Sequence, residues 1–215
     1  LIGLVGMAIA IFGGVWSSVA IGIGKRIQQN KSFTWWVITR LAFLTGSTNL
    51  AGFMIYLLQE KFVQYQGEKA AGPAATIVMF VGIFILLSAL PSGWLSDRFG
   101  KKFLILVSSL LAAMGTAIVI IAPELPLIYI GGSLVGAGIG FFYAASWALG
   151  TEIVPQTEAG RFLGISNLAG AGAGAVGAYI GGPIADQIGY TQIFVIYTIL
   201  FLFSILALTQ IKEKR

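Results

Sequence analysis

Cysteine and histidine are both absent from the 215 residues. The first absence excludes disulfides and thiolate chemistry, and the second removes the commonest metal ligand and the side chain that titrates near neutrality. Charge is scarce too: 10% of residues are Asp, Glu, Lys or Arg, 57% are hydrophobic, and the mean hydropathy is +0.91. So little polar surface cannot cover a soluble domain of this length, and the composition points to a bilayer. Carboxylates are missing from the middles of the apolar runs: Glu60, Glu68, Glu124 and Asp186 fall toward one set of ends, and Asp97, Glu152, Glu158 and Glu213 toward the other. Without His, Cys or a buried carboxylate, no nucleophile, base and orienting group can be assembled, so an enzyme is not expected. A G-x-x-x-x-G-K-[ST] loop is also absent, which argues against an ATP-driven pump; no cofactor or metal site is legible.

What the chain has instead is long apolar runs, over about 1–24, 33–58, 73–96, 102–122, 126–150, 161–185 and 190–210. Each is close to the roughly 20 residues that a membrane-crossing helix needs. A membrane barrel needs alternating segments of about ten residues, and these runs are continuously apolar, so the expected fold class is an all-α polytopic bundle of seven transmembrane helices. Lys25, Arg26, Lys31, Arg98, Lys101, Lys102, Arg161, Lys212, Lys214 and Arg215 gather on one side, with Lys61 and Lys69 on the other. This bias places the 93–102 turn and the C-terminus in the cytoplasm of a multi-pass protein, with the cell membrane as its expected location. The net charge of +5 lies in short turns and forms no stripe, so lipid rather than nucleic acid is the expected partner. Leu1 opens directly into an apolar run without an initiator Met or a charged leader, which leads to the expectation of a fragment starting inside a larger protein.

The turn at 93–102 reads G-W-L-S-D-R-F-G-K-K, and a later one at 152–164 reads E-I-V-P-Q-T-E-A-G-R-F-L-G. Gly100 permits a sharp reversal, Asp97 can accept backbone N–H groups, and Arg98, Lys101 and Lys102 suit an anionic leaflet. The first spacing resembles the signature loop of the major facilitator superfamily of transporters, and the second resembles its E-x-x-P…G-R-x-x-G loop, filled by Glu152, Pro155, Gly160, Arg161 and Gly164. The resemblance covers essentially the whole chain. It implies half of such a fold: 1–24 as the last helix of an N-terminal half, 25–32 as a cytoplasmic link, and 33–215 as the six-helix C-terminal half, whose partner would be the missing N-terminal half. It also implies a conformational switch at the inner face, formed by Gly93, Asp97, Arg98, Gly100, Lys101 and Lys102 with Glu152 and Arg161. The implied function is secondary transport of a small organic solute by alternating access.

Candidate substrate contacts are polar groups inside spans, where an unpaired one is expensive. Thr45, Asn49, Gly52, Tyr56 and Gln59 recur at helical steps on one face, either as a cavity wall or as interhelical hydrogen-bonding groups. Tyr143, Ser146 and Trp147 cluster at i, i+3 and i+4, an aromatic platform of the kind on which sugars stack, although aromatics inside a span more often serve packing. Asn167 is a further deep candidate. Arg40 lies roughly opposite the polar stripe and is expected to reach the headgroups. On that reading no deep cation serves a strongly anionic solute, and a sugar-like substrate is preferred to a bulky drug, with efflux or a non-transporting scaffold or sensor as alternatives. Gly132, Gly136 and Gly140, then Gly170 with Gly174 and Gly177 with Gly181, form small-residue faces for close packing or hinging. Pro91 is positioned to kink the helix before the signature turn. Phe194, Phe201 and Phe203 suggest a lipid-facing support helix in the last span.

Overall fold

The computed structural model describes residues 31–212, together with Gly13 and Ser17. Apart from Gly13 and Ser17, the expected first span at 1–24 lies outside the described residues, as does all of the link at 25–32 but Lys31 and Ser32. The described chain folds into six long helices: α1 (Lys31–Lys61), α2 (Ala71–Phe99), α3 (Lys101–Ile121), α4 (Leu125–Ile153), α5 (Ala159–Ile188) and α6 (Tyr190–Thr209). All six are long and apolar enough to cross a membrane. They match the six later runs in the sequence to within about three residues, and the helix begins at Lys31, within the expected link. Pro91 is accommodated on the exposed side of a continuous α2.

α4 packs on both α2 and α3, α1 packs on both α5 and α6, and α3 meets α6. Exchanging α1–α2–α3 with α4–α5–α6 leaves this pattern unchanged, as expected of two repeats of opposite orientation. The repeat is also written in the turns. Residues 93–100 (G-W-L-S-D-R-F-G) and 182–189 (G-P-I-A-D-Q-I-G) share a G-x-x-x-D-x-x-G pattern, one at the basic end of the bundle and one at the far end. In both, the last glycine takes a conformation with positive φ, 93° at Gly100 and 100° at Gly189. Its N–H closes the preceding helix on Ser96 O at 3.0 Å or Ala185 O at 2.7 Å. A side chain would strain that backbone, so glycine is what lets one helix follow another after a single residue.

Glycines also set how near the helices come. Gly115 of α3 faces Gly131 of α4 so closely that a Cβ built on Gly131 would lie 2.6 Å from Gly115 O. Gly132, Gly136 and Gly140 seat α4 against Ile77, Val81 and Ser88 of α2. The second stripe does the same on the symmetry-related pair: Gly170, Gly174, Gly177 and Gly181 of α5 meet Leu44, Thr48, Asn49 and Phe53 of α1. At the centre, Phe43 stacks on Phe142 with centroids 3.7 Å apart and meets Phe201 at 5.1 Å. This changes the reading of α6. Phe194 and Phe201 are fully buried, and the outward face carries Val195, Ile199, Leu202 and Leu206 instead. Aromatic rings gain more from the core, where they fill large gaps, than from lipid, which aliphatic chains satisfy equally well.

Candidate functional site

The polar stripe of α1 divides into two environments. Thr45 and Asn49 are buried: Thr45 Oγ1 donates to Leu41 O at 2.8 Å, and Asn49 Nδ2 donates to Thr45 O at 2.9 Å. Both press on Gly177 of α5, so this half of the stripe is an interhelical seam. Gly52 and Tyr56 lie exposed further along α1. Near the end of α1, the Gln59 side chain turns to the connecting segment and donates to Gly67 O at 3.0 Å, while its backbone O accepts from Gln66 Nε2 at 2.6 Å.

Arg40 departs furthest from expectation. Rather than reaching the helix end, its side chain is 3% exposed between α1 and α4. The guanidinium carbon lies 4.5 Å from the ring centre of Trp147 and 5.2 Å from that of Trp36, and Nη1 donates to Ser146 Oγ at 3.2 Å. The physical cause is local. Helical side chains lean toward the N-terminus, so Arg40 lies over Trp36 four residues earlier, and a weakly hydrated guanidinium gains from stacking on indoles. Trp36 is itself anchored, with Nε1 donating to Ser146 O at 2.9 Å and its six-membered ring filling the space beside Gly150. Of the three residues expected to form a platform on α4, Ser146 is buried, Trp147 is half-buried, and Tyr143 is 40% exposed. A deep cation does stand in this span. The W-x-x-x-R spacing of residues 36–40 was the signal available in the sequence. Asn167 is exposed on α5, outside this cluster.

At the basic end, Lys101, the first residue of α3, forms an ion pair with Glu152 in the last turn of α4. A carboxylate at a helix C-terminus is opposed by the helix dipole, so a cation from the neighbouring turn is the natural partner. Lys102 donates to Ile211 O at 2.7 Å, where α6 has ended. Arg98 lies over Trp94 at 5.2 Å and Phe99 at 5.6 Å. Gly93, Asp97, Arg98 and Arg161 are exposed, and among the described residues Asp97, Arg98 and Arg161 form no ion pair with one another or with Glu152.

The far end repeats this arrangement with other chemistry. Glu60, near the end of α1, accepts the backbone N–H groups of Tyr190 and Thr191 at the start of α6. Glu60 stands in α1 where Glu152 stands in α4, so each repeat ends its first helix with a carboxylate that holds the other repeat's turn. Lys61 donates to Val119 O at 3.0 Å and Ile120 O at 2.5 Å, capping the end of α3. Beside Glu60, Tyr56 stacks on Tyr190 at 5.0 Å, and Tyr190 Oη donates to Asp186 Oδ1 at 2.9 Å. These groups, with Gln59, Ala185 and Gly189, line a pocket of about 400 Å³.

Two three-helix repeats of opposite orientation, with a charged glycine turn between the second and third helices, define a testable family assignment. The sequence profile described as Major Facilitator Superfamily matches residues 37–215. The chain belongs to the Major Facilitator Superfamily. Among relatives in this superfamily, it is 27% identical over 149 residues to the minor myo-inositol transporter IolF of Bacillus subtilis, covering 69% of this chain and 32% of that protein. It is 28% identical over 191 residues to the multidrug resistance protein MdtG of Enterobacter lignolyticus, covering 87% of this chain and 44% of that protein. The crystal structure of the POT family transporter PepTSo superposes with a TM-score of 0.75 at 16% identity, over 86% of this chain and 39% of that one, a likeness of fold. The chain therefore spans less than half the length of these superfamily members.

Proposed function

We propose that the chain is the C-terminal half of a secondary transporter that moves a small, hydroxylated organic solute by rocking against an N-terminal half. The observation that carries this reading is the pairing of inverted repeats with exposed polar and aromatic groups on their leading helices, Tyr56 on α1 and Tyr143 on α4. In a membrane-spanning unit such groups need a water-filled path or a second half to face. Tyr143 and Trp147, with Asn167 of α5, form the solute-facing wall, and Tyr56 guards the far mouth. The basic end is cytoplasmic in the cell membrane, and the Lys101–Glu152 pair holds it closed with Asp97 and Arg98 in the same turn. Exposed pairs contribute about 0–1 kcal/mol, enough to bias two states of similar energy and weak enough to break in every cycle.

The similarity to a myo-inositol transporter supports a hydroxylated solute. The similarity to a multidrug resistance protein over more of the chain supports a second reading, efflux of a metabolite or drug by the same rocking motion. Uptake of radiolabelled myo-inositol and a panel of sugars into vesicles carrying the complete protein, with and without a proton gradient, tests the proposal. Saturable uptake of one solute supports import. Extrusion of a preloaded solute supports efflux, and absence of flux in either direction from folded, inserted protein leaves a scaffold or sensor role.

A further inference from the structure

The Arg40 guanidinium has five N–H donors in a planar fork. Among the described residues, Ser146 Oγ accepts from Nη1, and Nε is buried with no acceptor. The charge also faces the rings of Trp36 and Trp147, which attract it but accept no in-plane hydrogen bond. Nor is the charge neutralised by a carboxylate, since every described acidic residue lies in a turn or at a helix end. A guanidinium withdrawn from water is costly to leave unpaired. With most of its fork unused, it is organised for the planar, two-oxygen acceptors that arginine recognises, carboxylate and phosphate.

Position along the helices agrees. Arg40 lies about 9 Å from the midpoint of α1, toward the basic end, by the rise of about 1.5 Å per residue. That depth is within the hydrocarbon layer, roughly 30 Å thick. Trp147 is half-buried and Tyr143 exposed, so one layer of aromatic side chains separates the guanidinium from the face assigned above to the solute.

We propose that Arg40, with Ser146, is an anion-receiving subsite beneath the Trp147 ring, and that the solute carries a carboxylate or phosphate on its hydroxylated body. The subsite rests on the transport reading for the route by which the solute arrives. Movement of the Trp147 ring admits the acidic group to the fork, and Ser146 Oγ donates a further hydrogen bond to it. The hydroxyls of the solute stay with Tyr143 and the exposed wall.

The test uses matched pairs of probes on the complete purified protein: D-glucuronate against D-glucose, and glycerol 3-phosphate against glycerol. Binding is read from tryptophan emission, because Trp36 and Trp147 flank the guanidinium. The expected result is a saturable change with the acidic member of at least one pair and none with its neutral partner at the same concentration. Arg40→Gln weakens that binding by about tenfold to a hundredfold, Arg40→Lys by less, Ser146→Ala by a few fold, and Trp147→Phe removes most of the signal. If Arg40→Gln does not fold, Arg40→Lys and Ser146→Ala carry the comparison. Equal responses to acidic and neutral members, no response to either acid, or unchanged acid binding in folded Arg40→Gln overturns the subsite. Flux measured in parallel separates the two readings: movement of myo-inositol that Arg40→Gln leaves intact keeps transport and overturns the subsite. Arg40-dependent acid binding without flux of any probe keeps the subsite and overturns transport.

Discussion

Replacing Gly131 with Ala tests whether α3 and α4 touch backbone to backbone. The added Cβ would lie 2.6 Å from Gly115 O, 2.8 Å from Val119 Cγ2 and 3.1 Å from Val119 N. Carbon atoms prefer separations of about 3.5–4.0 Å, so the helices must part by about 1 Å. Overpacking of this kind costs about 1–3 kcal/mol. Alanine returns about 0.5–1 kcal/mol through its better helix propensity, leaving a net loss of up to about 2.5 kcal/mol. For a chain of this length that lowers Tm by up to about 10 °C. Gly52 is the matched control: it is helical and exposed, with no atom within 4 Å of its added Cβ, so Gly52→Ala gains propensity alone and raises Tm. Thermal unfolding in detergent followed by tryptophan fluorescence suits a cysteine-free chain, on which thiol-reactive dyes have nothing to label. If Gly131→Ala raises Tm as Gly52→Ala does, the added Cβ meets no packing cost, the helices are not in backbone contact and the packing argument fails.

Three further substitutions separate stability from transport. Asn49→Ala removes a seam contact with Gly177 and lowers Tm by a few degrees while leaving flux at the parental level; loss of flux at unchanged Tm would return Asn49 to the cavity. Glu60→Ala strips the carboxylate from the start of α6 and costs about 0.5–2 kcal/mol, as loss of a helix cap does, read as a fall in Tm of several degrees. Glu152→Gln breaks an exposed pair worth no more than about 1 kcal/mol, so Tm moves little while the flux rate changes; an unaltered rate would remove Glu152 from the switch.

Continuous apolar runs made the six described helices legible, because a bilayer imposes length and hydrophobicity on each crossing segment independently of its neighbours. What covers each face was not legible. The period of Thr45, Asn49, Gly52, Tyr56 and Gln59 correctly identifies a helical face, but Gly177 of a distant helix closes the first two residues off, and no local signal encodes that meeting. Arg40 shows the converse. Its depth was readable from its place in the span, yet headgroup contact was expected because the cost of burying a charge was weighed without the two indoles and the hydroxyl that share it. The repeat of Gly93–Gly100 in Gly182–Gly189 was present in the sequence, but the second copy lacks the basic residues that draw the eye to the first, and the positive φ of both closing glycines reveals the equivalence. In the same way Glu60 resembles an ordinary helix-end charge until the two N–H groups it holds are seen opposite the Lys101–Glu152 pair.

Alternating access is tested most directly by labelling from each side of the membrane. Two single-cysteine reporters in the complete protein, with any cysteine outside this chain replaced, suffice: Tyr56→Cys at the far mouth, where the parent side chain is 46% exposed, and Asn167→Cys on the exposed face of α5 toward the basic end. Each is combined with Glu152→Gln and treated with a membrane-impermeant thiol reagent on one side at a time. Opening of the basic end predicts faster labelling of Asn167→Cys from that side and slower labelling of Tyr56→Cys from the other. Rates that stay unchanged, or that rise together at both positions, contradict a unit that exposes one mouth at a time.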